Sequence, residues 1–190
     1  KEYLAVLAPL VRSGRADVVG SEYRVHASLG VAGASPCPIL VAALAPKMLA
    51  LAGEVADGTI TWMTGATTLR EYSVPRIREA AERAGRPRPR VVAGLPVAVS
   101  TDVARARETA GRAFQIYGTL PSYRAMLDRE GAEGPADVAI VGDEDAVGEA
   151  IDRLGESGVS DFLAAPFPVG KEGRESVERT RALLARLANR

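Results

Sequence analysis

The apolar residues of this chain follow two alternating patterns. Largely apolar segments that predict strands lie at 38–44, 58–64, 91–99 and 159–166, and the first, within "CPILVAAL", is a continuous apolar run typical of a strand buried on both faces. The segments between them space their apolar residues three and four apart, as one face of an amphipathic helix does. Because parallel neighbouring strands need a crossover connection, this alternation predicts an α/β protein with a parallel sheet. Four such units fit a small open sheet or half of an eight-stranded barrel, and the periodicity does not choose between them.

The N-terminal part of the chain has a different pattern. Leu4, Leu7, Ala8 and Val11 predict the apolar face of an opening helix. A stretch rich in Gly, Ser and Pro follows, in which "DVVG" and "EYRVH" predict a small hairpin. Between the third and fourth strands, "LPSYRAMLDREGAEGPADVAIVG" predicts an irregular insertion with one short helix.

Several residues predict where the helices begin or break. Thr101 or Asp102 can cap the helix after the third strand, and Asp143 can cap the helix after the insertion. Pro75 lies within the helical pattern that follows the second strand, where it predicts a break or a kink.

The composition is ordinary for a globular protein and excludes several classes. Of 190 residues, 47% are hydrophobic and 25% are charged, which suits one domain with a sizeable core. The 24 basic and 24 acidic residues balance, so no overall charge attracts nucleic acid or an acidic membrane. One cysteine and one histidine exclude an internal disulfide framework and a zinc site with several Cys or His ligands. With no signal peptide or membrane-spanning apolar run in the sequence, we expect a cytoplasmic protein.

The turn "AALAPKML" leads from the first predicted strand into a helix that lacks a cap. No Ser, Thr, Asp or Asn occupies the capping position, and Pro46 takes the first helical position. In a parallel α/β sheet such a turn lies at the carboxyl edge, where ligands bind. The amides of Lys47 and Met48 have no capping side chain nearby in sequence, and they carry the positive end of the helix dipole. A bound anion would satisfy them, with Lys47 adding a charge, whereas water would do so at an ordinary surface.

The carboxyl end of the second predicted strand carries further candidates. Trp62, the only tryptophan, is equally compatible with core packing and with lining a ligand pocket. Thr64 can bind a ligand or cap the next turn, and Gly65 follows it at the same edge. At the opposite end of this strand, Asp57 and Gly58 predict a turn in which Gly58 is free to adopt a positive φ. The sequence shows no paired carboxylates and no Ser-His-Asp set, so hydrolase chemistry has no support.

Several stretches resemble a known family. They are "PILVAALAPKMLALAGEVADGTITWMTG", "RVVAGLPVAVSTD", "GTLPSYRAMLDREG", "GPADVAIVGDEDAVGEAIDRL" and "GVSDFLAAPF". Together they resemble the bacterial luciferase-like flavin and deazaflavin oxidoreductases, above all the branch that uses coenzyme F420. The resemblance covers nearly the whole chain from Glu2 onward.

The resemblance implies a (β/α)8 TIM barrel of the luciferase-like type. The four predicted strands would be those of its fifth to eighth β/α units. Residues 1–190 would then be a single luciferase-like domain without its N-terminal half, and we expect a piece of a longer protein or completion by a second half or copy. An open half-barrel would leave two strand edges unpaired.

The resemblance also implies where a cofactor binds. The coenzyme's phosphate would lie at the turn after the first predicted strand, with the backbone amides around it as donors. The candidate cofactor-binding residues are Ala43, Leu44, Ala45, Lys47 and Met48. The candidate residues of the substrate pocket are Trp62, Thr64 and Gly65.

The expected function is that of an oxidoreductase which transfers a hydride between coenzyme F420 and a small organic substrate. One alternative is an FMN-dependent luciferase-like monooxygenase, which would share the phosphate turn. Another is a non-catalytic half-barrel that acts as a scaffold or assembly partner. We expect a homodimer or a barrel completed by the missing half, and the sequence identifies neither the substrate nor a catalytic residue.

Overall fold

The computed structural model of the protein describes residues 1–31, 33, 35–171 and 173–189. Its first elements are helix α1 (Glu2–Ser13) and the antiparallel strands β1 (Arg15–Val19) and β2 (Arg24–Ser28). The predicted opening helix and hairpin are therefore confirmed. The Glu2 carboxylate joins the helix to the hairpin turn, because it accepts hydrogen bonds from the amides of Ser21 and Glu22 at 3.0 and 2.8 Å.

The strands that follow form a parallel sheet. They are β3 (Leu40–Ala42), β4 (Gly58–Trp62), β5 (Arg90–Val99), β6 (Ile140–Gly142) and β7 (Asp161–Pro166). β5 is central: β4 pairs with its first half, β6 pairs with its last residues on the same edge, and β7 pairs along its other edge. β3 pairs with β4. The four predicted strands are confirmed, and the short strand β6 lies in the segment predicted as irregular.

Burial across the sheet shows which strands lie at its edges. β5 is buried from Val91 to Val99, whereas β3 and β7 are mostly half-exposed. Among the described residues, β3 and β7 each pair with a neighbour on one side only. The sheet therefore has two open edges, as expected for part of a barrel.

Helices pack around the sheet and enclose a main core and a smaller second cluster. They are α2 (Pro46–Val55), α3 (Ala66–Thr68), α4 (Val74–Arg83), α5 (Val103–Ala113), α6 (Pro121–Glu130), α7 (Pro135–Val138), α8 (Glu144–Glu156) and α9 (Gly173–Leu187). Leu49, Ile77, Leu127 and Leu154 are almost fully buried in this core. Within the described residues, no helix is both long and apolar enough to cross a membrane.

The structure shows side-chain caps at two predicted helix starts and a change of helix type near Pro75. Asp102 caps α5 by accepting a hydrogen bond from the Arg105 amide at 3.0 Å, and Asp143 caps α8 through the Ala146 amide at 2.9 Å. The predicted break at Pro75 corresponds to a π-helical turn, Leu69–Ser73, which joins α3 to α4. Proline has no amide hydrogen, so a regular α-helical bond cannot form at this point.

Asp57 immediately precedes β4 and Gly58 is its first residue, at the amino edge of the sheet. The Asp57 carboxylate accepts hydrogen bonds from the Ile39 amide at 2.8 Å and from Arg12 at 2.8 and 3.0 Å. Gly58 does not have a positive φ, unlike six other glycines of the described chain, so this prediction is wrong. Glycine is needed there for close packing, because a Cβ atom would overlap the carbonyl of Arg90 in the next strand.

Candidate functional site

The turn between β3 and α2 lies at the carboxyl edge of the sheet. β3 ends at Ala42, and α2 begins at Pro46. Ala45 has extended backbone, with φ −75° and ψ 151°, and no side chain caps the helix. The uncapped helix start predicted from the sequence is therefore confirmed.

The hydrogen bonds of this turn separate occupied amides from available ones. The amides of Met48 and Leu49 both donate to the Ala45 carbonyl oxygen at 3.0 Å. The prediction that the Met48 amide lacks a partner is thus wrong, because the first turn of the helix is closed by an additional short-range bond. No described residue accepts a backbone hydrogen bond from the amides of Leu44, Ala45 or Lys47. Three donors therefore remain available beside the positive end of the helix dipole.

A cavity of about 500 Å³ adjoins this turn, and Leu44 and Ala45 are among the residues that line it. It is lined by Ala42, Ala43, Leu44, Ala45, Met48, Ile60, Thr61, Trp62, Ser122, Tyr123 and Leu163. No acidic or basic side chain is among these residues. Their mostly apolar character and the cavity's size are typical of sites for small organic ligands and cofactors.

The predicted cofactor-binding residues have different positions relative to this cavity. Ala43, Leu44, Ala45 and Met48 line it. Lys47 does not, and its side chain is exposed to solvent. A role for Lys47 in anion binding would therefore depend on its amide and on the charge of a side chain outside the cavity.

Aromatic side chains form one wall of the cavity. The Trp62 ring packs against Phe114 and Tyr117, each with a centroid distance of 6.0 Å, and Tyr117 packs against Tyr123 at 4.8 Å. The Nε1 atom of Trp62 is buried without an acceptor in the part of the chain that the structure describes. Trp62 therefore has both of the predicted environments: it packs against the core, and it lines the cavity.

The backbone next to Trp62 is unusual. Met63 has φ 53° and is the one residue other than glycine with positive φ among those described. Its side chain is completely buried, and its amide donates to the Gly94 carbonyl oxygen at 3.1 Å. A left-handed residue with a bulky side chain costs about 1–3 kcal/mol, and such residues are frequent at functional sites.

Thr64 and Gly65 do not line this cavity. Thr64 is buried, and its hydroxyl donates to the Trp62 carbonyl oxygen at 3.3 Å. Gly65 lies at the start of α3, where a Cβ atom would overlap the Glu130 carboxylate. That carboxylate accepts hydrogen bonds from the amides of Thr67 and Thr68, at 3.1 and 2.7 Å, so it caps the helix. In the structure Gly65 is the N-cap residue of α3, and Thr64 immediately precedes it.

The structure adds residues that the sequence did not single out as site residues. Ile60 and Leu163 contribute apolar surface from β4 and β7, and Ser122 comes from the first turn of α6. Ser122 lies in the segment predicted as irregular, so nothing in the periodicity indicated its position. Among the described residues, no group of three or more His, Cys, Asp or Glu side chains is placed to hold a metal ion.

A parallel sheet with a ligand-sized cavity at the carboxyl ends of its strands places the chain among the α/β proteins that bind ligands at that edge, which include barrels and open sheets. The sequence profile of the luciferase-like monooxygenase family matches residues 1–188. The chain belongs to this family. The predicted fold class, a luciferase-like TIM barrel of which these strands form part, is confirmed.

Three relatives illustrate the similarity. An F420-dependent glucose-6-phosphate dehydrogenase from Nakamurella multipartita is 30% identical over 156 residues, which are 80% of this chain and 44% of that protein. The coenzyme F420-dependent tetrahydromethanopterin reductase from Methanopyrus kandleri has a TM-score of 0.73 at 23% identity, covering 94% of this chain and 60% of that one. The oxygenating constituent of 3,6-diketocamphane monooxygenase from Pseudomonas putida, in complex with FMN, has a TM-score of 0.61 at 17% identity, covering 86% and 54%. The chain thus spans about half the length of these relatives.

Proposed function

We propose that the protein is an oxidoreductase that transfers a hydride between coenzyme F420 and a small organic substrate. The observation that carries this proposal is the set of available amides at Leu44, Ala45 and Lys47 in the β3–α2 turn, of which Leu44 and Ala45 line the cavity of about 500 Å³. Backbone donors at a helix N-terminus favour a phosphate group, and an adjoining apolar cavity favours an organic ring. The names of the dehydrogenase and reductase relatives support coenzyme F420 as the ligand.

Each part of the site would have a distinct task. The three amides would hold the phosphate, and the small Ala45 side chain would leave them accessible. The exposed Lys47 ammonium group would attract the anion from outside the cavity. Apolar residues such as Ile60 and Leu163 would exclude water from the bound ring. When bound, the deazaflavin supplies the hydride chemistry, and the protein supplies binding and orientation.

An FMN-dependent monooxygenase is the alternative within the same family. FMN also carries a phosphate, so the β3–α2 turn would suit either cofactor. The relative from Pseudomonas putida, whose structure contains FMN, supports this alternative.

A non-catalytic half-barrel is the alternative from a different class, and the two open sheet edges favour it. For the catalytic proposal, we propose that further strands cover the free edges of β3 and β7, supplied by an N-terminal half or by a second copy of the chain. Uncovered edges present unpaired backbone groups to other chains.

Titration of the purified protein with coenzyme F420, and separately with FMN, tests the proposal. We expect saturable changes in the absorbance and fluorescence of coenzyme F420.

Lys47→Glu should weaken this binding about fivefold, because it reverses an exposed charge near the phosphate. Arg83→Glu is the matched control, since it makes the same charge reversal at the far end of α4.

The titration separates the alternatives. Binding of FMN but not coenzyme F420 would favour the monooxygenase, and binding of neither would favour the non-catalytic half-barrel. Equal affinity of Lys47→Glu and the unmodified chain would argue against the turn as the phosphate site.

A further inference from the structure

A second cavity lies at the opposite, amino edge of the sheet. It has a volume of about 280 Å³, and its charged lining consists of Arg78, Arg86, Arg88 and Glu82. Pro89, which immediately precedes β5, forms part of its wall. The β3–α2 turn lies at the carboxyl ends of the strands, so this cavity is separate from the proposed coenzyme site.

The three arginines are unequally neutralised. Arg86 donates from Nη2 to the Ala56 carbonyl oxygen at 2.9 Å and to the Asp57 carboxylate at 3.1 Å. Arg78 donates from Nη2 to the Gly158 carbonyl oxygen at 2.8 Å, which is an uncharged acceptor. Within the described residues, Arg88 has no carboxylate within ion-pair distance.

Arg78 also has an unused donor. Its Nε atom is buried and has no acceptor among the described residues. Leaving a buried donor of a charged group unpaired costs more free energy than leaving a neutral donor unpaired. The pKa of Arg78 is lowered by burial and, secondly, by the charge of Arg88, while Glu82 acts in the opposite direction. Two like charges therefore lie near each other, with one carboxylate of the cavity lining to offset them.

We propose that this cavity is a binding site for a phosphate-type oxyanion, held by Arg78 and Arg88 with Arg86 at its border. Arginine presents several N–H donors in a planar fork, which suits the oxygens of phosphate. A bound oxyanion would accept hydrogen bonds from the guanidinium groups of Arg78 and Arg88, which line the cavity, and would reduce the repulsion between them. The cavity accommodates inorganic phosphate or the phosphate end of a small metabolite, and Glu82 limits the affinity.

The Nε–Hε resonance of Arg78 in a ¹⁵N-correlated NMR spectrum reports on this site directly. The resonance is assigned from its loss in Arg78→Lys. We expect it to shift saturably on titration with inorganic phosphate, and to remain unchanged when sodium chloride replaces phosphate at equal ionic strength.

Three variants define the site further. Arg88→Gln should weaken phosphate binding about tenfold, because it removes a charged donor worth about 1.4 kcal/mol. Glu82→Gln should strengthen it about threefold by removing a like charge. Arg112→Gln, which removes an exposed arginine paired with Glu108 on α5, is the matched control and should leave the affinity unchanged.

Two results would overturn the proposal. One is an Arg78 resonance that does not shift saturably with phosphate or that shifts equally with chloride. The other is a phosphate affinity that Arg88→Gln and Arg112→Gln leave equally unchanged. In Lys47→Glu the Arg78 titration should be retained, which distinguishes this site from the proposed coenzyme site.

Discussion

Gly94, in the middle of β5, determines how closely the Trp62 indole approaches the sheet. A Cβ atom at this position would lie 2.7 Å from the Thr61 carbonyl oxygen and 2.9 Å from Cε3 of the indole. The first of these neighbours is backbone, so it cannot move without shifting β4 away from β5. The packing of Trp62 in the wall of the cavity of about 500 Å³ therefore requires that residue 94 has no side chain.

Gly94→Ala should destabilise the fold by about 1–3 kcal/mol, the usual cost of overpacking a core. Urea unfolding followed by the fluorescence of Trp62, the single tryptophan, measures both the stability and the displacement of the ring. Gly148→Ala is the matched control: nothing lies within 4 Å of a Cβ atom there, and alanine favours helix α8. It should stabilise the protein by about 0.5–1 kcal/mol. An equal effect of the two substitutions would contradict the proposed close packing of Gly94.

At the scale of single residues, the sequence predicted what depends on local chemistry. The uncapped start of α2 could be predicted because capping depends on the side chain at the N-cap position, which is Ala45. The position of Gly65 could not be predicted, since it is fixed by the carboxylate of Glu130, which is distant in sequence. Likewise, the buried Nε1 of Trp62 follows from packing against Phe114 and Tyr117 in a later segment.

At the scale of elements, Asp57 joins several segments at the amino edge of the sheet. Its carboxylate connects α1 through Arg12, the start of β3 through the Ile39 amide and the segment before β5 through Arg86. Burial would raise the pKa of Asp57, but the hydrogen bonds from Ile39 and Arg12 and the charges of both arginines bring it below the ordinary 3.8. The ionised form is therefore favoured in the folded protein.

This lowered pKa predicts acid sensitivity. The contribution of Asp57 to stability should be fully present above about pH 5 and should be lost as the pH falls below 3.8 and through the folded-state pKa. At neutral pH, Asp57→Asn should destabilise the protein by about 1–2 kcal/mol through the loss of charge-assisted hydrogen bonds. The difference between the two proteins should shrink toward low pH when unfolding is measured by chemical denaturation. Glu156→Gln, at the exposed end of α8, is the control for the loss of a carboxylate. If the difference in free energy of unfolding between Asp57→Asn and the unmodified chain did not change with pH, the account would be contradicted.

The elements themselves were largely predictable. Strands β3, β4, β5 and β7 are rich in apolar residues between turn signals, so a local pattern identifies them. β6 was missed because three residues are too few to show a pattern, and its pairing with the end of β5 is a tertiary event. The π-helical turn before Pro75 shows the effect of the proline, but its geometry could not be read from the proline alone.

At the scale of the whole molecule, the open edges of β3 and β7 are the main feature. A sheet with two exposed edges invites pairing with further strands. We expect the purified chain to sediment as a species larger than its 19.9 kDa monomer, and to do so more strongly in the presence of coenzyme F420. Analytical ultracentrifugation over a range of concentrations measures this. If the chain stays monomeric at all concentrations and still binds the coenzyme, coenzyme binding does not require further strands to pair with the open edges.

The family and the fold class were accessible from sequence because the matching stretches extend along nearly the whole chain. The cavity was not, since it combines the β3–α2 turn with Ser122 and Leu163 from much later segments. These residues meet only when the sheet and the α6 region have formed.

The account depends most on the available amides at the start of α2, and a pair of substitutions at Ala45 tests it directly. Asn and Asp both cap a helix, and each should stabilise α2 by about 1 kcal/mol, but Asp alone adds a negative charge. The measurement is the affinity for coenzyme F420 of Ala45→Asp relative to Ala45→Asn. We predict that Ala45→Asp binds at least about tenfold more weakly, because its carboxylate would occupy the phosphate position and repel the phosphate. Equal affinity of the two variants, with both matching the unmodified chain, would contradict the proposal that this turn holds the coenzyme.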